Sequence, residues 1–198
     1  MMASLAGWIE AITGCMFAGK TTELLRRLER EKLAQQEILL FKPSIDDRYG
    51  IVEVKAHNGQ GMPCFLLPLE VREVAELIEI AGSESFEEAG TIAFDEGNFF
   101  RKDFPALCEC LAQDYQKRVI VSGLNLDSEG GPFHPMPEII SLADKITLLT
   151  AICMECGREA TRTQRVDRNG GAIHDGPTVK VGGIGSYRAL CRSCWVKL

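Results

Sequence analysis

Long apolar runs are missing from this chain of 198 residues. A helix that spans a bilayer needs about 20 consecutive apolar residues; no stretch comes near that, so no membrane partner is expected. The opening Met1-Met2-Ala3-Ser4-Leu5-Ala6-Gly7 lacks a charged start and a long apolar segment, so no export signal is read and a cytoplasmic protein is expected. An excess of basic residues is missing too: Lys+Arg number 22 against Asp+Glu 28, a formal net charge of -6. That balance leaves no broad footprint for a phosphate backbone, and nucleic acid is not an expected partner. There are no internal repeats and no low-complexity tract. The length suits one ordinary α/β domain with a small appendage.

Cysteine, by contrast, is plentiful, at positions 15, 64, 108, 110, 153, 156, 191 and 194. Only Cys153/Cys156 and Cys191/Cys194 carry a meaningful spacing. Two CxxC hooks in a chain without an export signal supply four thiolates for a closed, tetrahedral structural Zn²⁺ site. Two disulfides are the alternative, and a catalytic zinc is disfavoured because four thiolates leave no position for water. The remaining cysteines read as small buried hydrophobes.

Apolar periodicity gives the organisation. Trp8 to Thr13 reads as a strand, and Thr22 to Arg30 as a helix with Leu24, Leu25 and Leu28 on one face. Ile38 to Phe41 is a second strand, closed by Pro43. Val71 to Ile80 has helical spacing, Thr91 to Phe94 is a buried strand, Phe104 to Tyr115 a helix and Arg118 to Val121 a strand. Gly123 to Phe133 is a loop. Strands alternating with helices predict an α/β fold, a mostly parallel sheet covered on both faces, with ligands at the carboxyl ends of its strands. The expected division is a nucleotide-binding domain over 1–150 and a zinc-binding lobe over 151–198.

Gly14-Cys15-Met16-Phe17-Ala18-Gly19-Lys20-Thr21 satisfies GxxxxGK[ST] between a strand and a helix. In such a P-loop, backbone N–H groups and the helix N-terminus cradle phosphates, the lysine reaches the β- and γ-phosphates, and the hydroxyl meets Mg²⁺. The residues expected to hold ATP and Mg²⁺ are therefore Gly14 to Thr21, with Asp95, Glu96, Gly97 and Asn98 at the exit of a buried strand. There one carboxylate can serve the metal and the other accept a proton. A P-loop alone leaves kinase, hydrolase and switch open, and an acidic pair at a strand exit can also be a simple cap.

The segments GCMFAGKTTELLRRL, KPSIDDRYG, FDEGNFF, GLNLDSEGGPF, CMECGREATRTQR and VGGIGSYRALCRSC, in that order, resemble the cellular thymidine kinases with a C-terminal zinc lobe. The resemblance runs from about Trp8 to Trp195. It implies transfer of the γ-phosphate of ATP to deoxythymidine, with Glu96 as catalytic base and Asp46 and Arg48 near Mg²⁺ and the phosphates. Met16, Phe99, Leu124 and Thr163 fall where the thymine pocket is lined. A lasso loop, here Thr178, Val179, Lys180, Val181 and Gly182 with Tyr187 behind it, would close over the base. Ser128 stands where an aromatic ring stacks on thymine, Asn98 where Gln is usual, Arg162 where an aromatic is common, and Cys15 where the P-loop usually has Pro. The resemblance also implies a homo-oligomer, a tetramer. The alternatives are a kinase of another deoxynucleoside, an inactive ATP-binding regulatory module and, more remotely, a zinc-dependent nucleic-acid binder.

Overall fold

The structure, a computed structural model, describes residues 7–44, 53–56, 59–167, 169–173 and 185–196. The first part of the chain gives β1 (Trp8–Gly14), α1 (Lys20–Leu33), β2 (Glu37–Pro43), β3 (Glu53–Lys55), β4 (Gly61–Pro63), β5 (Phe65–Leu67), α2 (Val74–Ala81) and α3 (Ser83–Glu88). There follow β6 (Ala89–Phe94), α4 (Phe104–Gln113), β7 (Arg118–Gly123), α5 (Met136–Leu142) and β8 (Lys145–Leu149). The C-terminal part contains β9 (Ala151–Ile152), β10 (Glu159–Ala160), β11 (Arg162–Arg165) and β12 (Tyr187–Leu190).

Six strands form one sheet in the order β5-β2-β6-β7-β1-β8, and every neighbouring pair in it is parallel. Side chains alternate across a strand, so a strand buried on both faces must be apolar throughout. Ile9, Ala11, Leu39, Phe41, Ile92, Phe94, Val119 and Val121 point into one core, under α2, α3, α4 and α5. Ile12, Leu40, Ala93 and Ile120, offset by one, point into the other, where α1 contributes Leu24, Leu25 and Leu28. The first core is built on rings: Phe94 meets Phe104 edge-on at 5.0 Å, and Phe100 stacks on Phe104 at 4.4 Å.

The α/β architecture expected from the alternation is the one observed. The helix read from Val71 starts three residues late, because Glu73 caps it and Glu76 reaches back in a capping box, while Val71 is buried in the preceding turn. Helices α3 and α5 and strand β8 were not among the expected elements. The acidic Ser83–Glu88 carries no apolar periodicity, and α5 is only seven residues with Pro at its first turn.

A buried ion-pair network crosses this apolar frame. Glu10 of β1 is 2% exposed and accepts from Arg27 of α1 and from Arg118 of β7, while the Trp8 indole donates to it at 3.0 Å. Burial pushes the Glu10 carboxyl up, but Trp8, Arg118 and Arg27 together hold it below its ordinary value. The pairing ties the P-loop helix to the centre of the sheet.

Candidate active site

Three adjacent strands, β6, β7 and β1, deliver the site at their carboxyl ends. Strand β1 runs into Gly14, whose φ is 149° and whose position leaves no room for a β-carbon, which would lie 2.3 Å from the Leu149 carbonyl oxygen. The loop then turns through Phe17, in a left-handed conformation (φ 66°), and enters α1 after Gly19 with no side chain capping the first backbone N–H groups. Those amides and the positive end of α1 form an anion cradle. Lys20 arches back over the loop, its Nζ donating to the Cys15 carbonyl at 2.9 Å. Burial pulls the Lys20 ammonium below its ordinary value, against the pull of Glu96 and Asp95.

Opposite stands the acidic pair at the end of β6. Asp95 is 6% exposed, and both its oxygens are held: Thr21 Oγ1 donates to one at 3.0 Å and Ser122 Oγ to the other at 2.8 Å. Burial raises its carboxyl, and the two hydroxyls and Lys20 oppose that rise. Glu96 has φ 53° and ψ 39°, a left-handed conformation that costs a non-glycine residue of order 1 kcal/mol. This turns the chain at once into the 3₁₀ turn Gly97–Phe99. Glu96 is exposed to solvent, yet the protein packed about its carboxyl and the neighbouring Asp95 charge push that carboxyl up to about 7. A base with that affinity for protons suits a transfer at neutral pH.

Beside this acidic pair lies the loop after β7. Asn98 is 2% exposed; its Oδ1 accepts from the Leu124 backbone N–H at 2.9 Å, and its Nδ2 has no partner among the described residues. Phe99 meets Phe133 edge-on at 5.7 Å. Leu124 is thus fixed at the base of the loop, and Ser128 lies half-buried in a turn organised by Asp127, whose Oδ1 accepts from Glu129 N at 2.9 Å and Gly131 N at 2.8 Å. The Oγ1 of Thr163 in β11 accepts from Met16 N at 3.1 Å, which joins the P-loop to the C-terminal part. Tyr187 is buried and lies opposite Arg165 in the β11–β12 pair. Arg162 bonds the Thr161 carbonyl at 3.1 Å, and Cys15 donates to the Ala160 carbonyl at 3.3 Å. Asp46, Arg48, Thr178, Val179, Lys180, Val181 and Gly182 lie outside the described residues.

The four hook cysteines converge. Sγ atoms of Cys153, Cys156, Cys191 and Cys194 all lie within 4.8 Å of one another, and none is in a disulfide. Cys156 and Cys191 Sγ are 3.7 Å apart, against an edge of about 3.8 Å for a tetrahedron of zinc–sulfur bonds. The donor set therefore suits zinc. Arg158, which the sequence reading did not single out, donates to Cys156 Sγ at 3.4 Å and Cys191 Sγ at 3.8 Å. Its guanidinium holds the Cys156 thiol down to about 6, favouring the thiolate that a metal requires. Cys15, Phe17 and Ala18 of the P-loop share one small apolar core with Ala151, Cys153, Ala160, Ala189, Leu190, Cys191 and Trp195.

Ser122 was missed as well, because the expected strand stopped one residue short of it, although a hydroxyl at the exit of a strand beside an acidic one is a readable signal.

Comparison with known proteins agrees with this site. The family described as thymidine kinase matches residues 7–195. A thymidine kinase of Thermococcus kodakarensis is 45% identical over 186 residues, 94% of this chain and 92% of the relative. One of Coprothermobacter proteolyticus is 42% identical over 185 residues, 93% and 88% of the two chains. One of Halobacterium salinarum is 39% identical over 191 residues, 96% and 95%. A match across nearly the whole chain, carrying an intact P-loop, acidic pair and cysteine tetrad, means that this chain belongs to the thymidine kinase family.

Proposed function

We propose that the protein transfers the γ-phosphate of ATP to the 5′-hydroxyl of deoxythymidine, giving dTMP and ADP as a step of nucleotide salvage in the cytoplasm. The observation that carries this reading is the meeting of Thr21, Asp95 and Glu96 across β1 and β6, with Lys20 beside them. Residues Gly14 to Lys20 would hold the triphosphate through backbone N–H groups and the ammonium. Thr21 and Asp95 would hold Mg²⁺, which would supply countercharge to the phosphates.

A sugar hydroxyl is a poor nucleophile, so most of the acceleration comes from holding it in line and from countercharge. As its oxygen bonds to the γ-phosphorus and the bond to the departing diphosphate breaks, Glu96 takes the hydroxyl proton, and Lys20 offsets the charge moving onto the departing oxygen. Asp95 is a poor alternative base, because both its oxygens already accept hydroxyl hydrogens. Gly97 and Asn98 complete the turn that aims Glu96. Met16, Phe99, Leu124, Ser128 and Thr163 line the nucleoside side, with Tyr187 and the segment Thr178 to Gly182 over the base and Asp46 and Arg48 toward the phosphates. In this division, 1–150 binds the nucleotide and 151–198 covers the nucleoside on a frame ordered by structural Zn²⁺.

The same reading carries a homo-oligomer, a tetramer. Supporting it, β8 is the edge strand of the sheet and leaves Ile146 51% and Leu148 62% exposed, the sort of apolar edge that proteins cover.

The test is a nucleoside panel with Mg-ATP: thymidine, deoxyuridine, deoxycytidine, deoxyadenosine and deoxyguanosine, with Glu96→Gln as control. Phosphorylation of thymidine, abolished in the control, is the expected result. Transfer only to another nucleoside would replace the substrate but keep the reaction, and no transfer at all with ATP bound would leave a regulatory module.

A further inference from the structure

The loop between β7 and α5 is secured at its base by Asn98 and Phe99, but its tip reaches past its own domain core. Asp127 N donates to the Gly131 carbonyl at 2.9 Å, and Gly130 N to the Asp127 carbonyl at 3.2 Å, so the tip is a tight turn with Gly130 at φ 79°. A β-carbon on Gly130 would lie 2.8 Å from Cη2 and 3.0 Å from Cζ2 of Trp195. The six-membered ring of that indole is therefore pressed against the backbone of the loop that carries Ser128.

Trp195 belongs to the other side. It follows Cys194, its backbone N–H donates to the Cys191 carbonyl at 2.9 Å, and its neighbour Val196 donates to Gln164 Oε1 at 3.0 Å. Its ring joins the small core beneath the cysteine tetrad. Its Nε1 is buried with no partner among the described residues, so shape and not a hydrogen bond fixes the ring. The chain has two tryptophans, and the other, Trp8, lies at the far end of β1.

The geometry points to Trp195 as a positioning residue for the nucleoside: the order of the cysteine-tetrad lobe is passed through the indole to Gly130, and the loop so held presents Leu124 and Ser128 to the base. Hydrogen bonds within the tip, centred on Asp127, set its turn, and the indole is a contact that fixes that turn against the cysteine-tetrad lobe. This rests on the kinase reading above. Trp195 touches no reacting atom, so its loss changes how well the nucleoside is held and not how fast a bound one reacts.

The test has kinetic and spectroscopic arms. Trp195→Ala is expected to raise the KM for thymidine about tenfold, as a displaced substrate loop does, with kcat and the KM for ATP within about twofold. Trp195→Phe, which keeps a ring and removes the orphaned donor, is expected to restore thymidine KM to within about threefold. Gly130→Asn approaches the same contact from the loop; Asn tolerates the left-handed backbone, so the clash of its β-carbon with the indole dominates and thymidine KM rises again. Zinc content and melting temperature accompany each variant, and if Trp195→Ala loses zinc, the decision passes to Gly130→Asn and Trp195→Phe. In a Trp8→Phe background, emission from Trp195 is expected to respond to thymidine and little to Mg-ATP. Unchanged thymidine KM in Trp195→Ala and Gly130→Asn, or equal damage in the alanine and phenylalanine variants, overturns the role. A wild-type protein that phosphorylates no nucleoside defeats the kinase reading instead; the fluorescence response to thymidine then decides this inference alone.

Discussion

The two sides of the site are built differently. On the side proposed to hold the triphosphate, the carboxyl ends of three neighbouring parallel strands carry almost every group: the P-loop from β1, Asp95 and Glu96 from β6, Ser122 from β7. These positions follow from the sheet register, which is set by cores on both faces, and the side chains are locked by direct hydrogen bonds. On the side proposed for the nucleoside, Leu124, Ser128 and Thr163 come from a loop and a two-stranded ribbon, held by Asn98, by Met16 N and by packing onto the cysteine-tetrad core. The first side tolerates little change, since each Asp95 oxygen is held by its own hydroxyl. The second holds its shape through contacts that can be replaced, and there lie three of the four departures from the family pattern: Ser128, Asn98 and Arg162.

The most severe way to break this contrast is to break the cysteine tetrad. Structural zinc contributes on the order of 10 kcal/mol to small domains, and Cys153 and Cys191, two of the four residues that would hold it, share a core with Cys15 of the P-loop. Cys191→Ser is expected to abolish zinc binding and to lower both ATP and thymidine affinity, read by metal analysis and calorimetry. Loss of thymidine affinity alone would mean that the P-loop stands without that support.

Glu96→Gln separates chemistry from binding on the strand-borne side. The turnover number should fall about 1,000-fold, within the range for loss of a general base, while Kd for both substrates stays within a few-fold. A drop of less than tenfold would give the base role to another group.

A pH profile sharpens the same point. With the Glu96 carboxyl raised to about 7, the ionised base is lost as pH falls through that value, and turnover at pH 6 should be about one tenth of its plateau. The stability effect has the opposite sense. Because the folded-state value lies above the unfolded one, ionising Glu96 costs stability as pH rises from about 4.5 toward 7. Glu96→Gln should therefore melt higher than wild type above pH 7, and equal melting curves there would contradict the raised value.

The smallest expected effect is on the replaceable side. Ser128→Phe restores a stacking face, which is worth about 1 to 3 kcal/mol per base, although the strain of fitting it beside Asp127 offsets part of that. Thymidine Kd should tighten about fivefold with ATP unaffected; weaker binding would mean that the loop already supports the base in another way.

The same contrast governs what the sequence made legible. Strands β1, β2, β6 and β7 were read within two or three residues, because a parallel strand buried on both faces is an uninterrupted apolar run. The P-loop, the acidic pair and both CxxC hooks were readable because each is local in sequence. Arg158, Trp195 and the Asn98–Leu124 bond were not, since each acts through a partner at least 26 residues away or through the folded turn of the tetrad. No short-range pattern encodes such meetings. Helix α5 and strand β8 were lost between a proline-rich loop and the change of composition near residue 150.

The core beneath the cysteine tetrad also bears on modularity. Because Cys15, Phe17 and Ala18 are packed with Ala151, Ala160, Ala189 and Trp195, a chimaera that joins residues up to 150 of one relative to the C-terminal part of another cuts through a packed cluster. Exchange of nucleoside preference between relatives by swapping that part would have to carry the residues at 15, 17 and 18 with it, so that the two ends of the chain are inherited together.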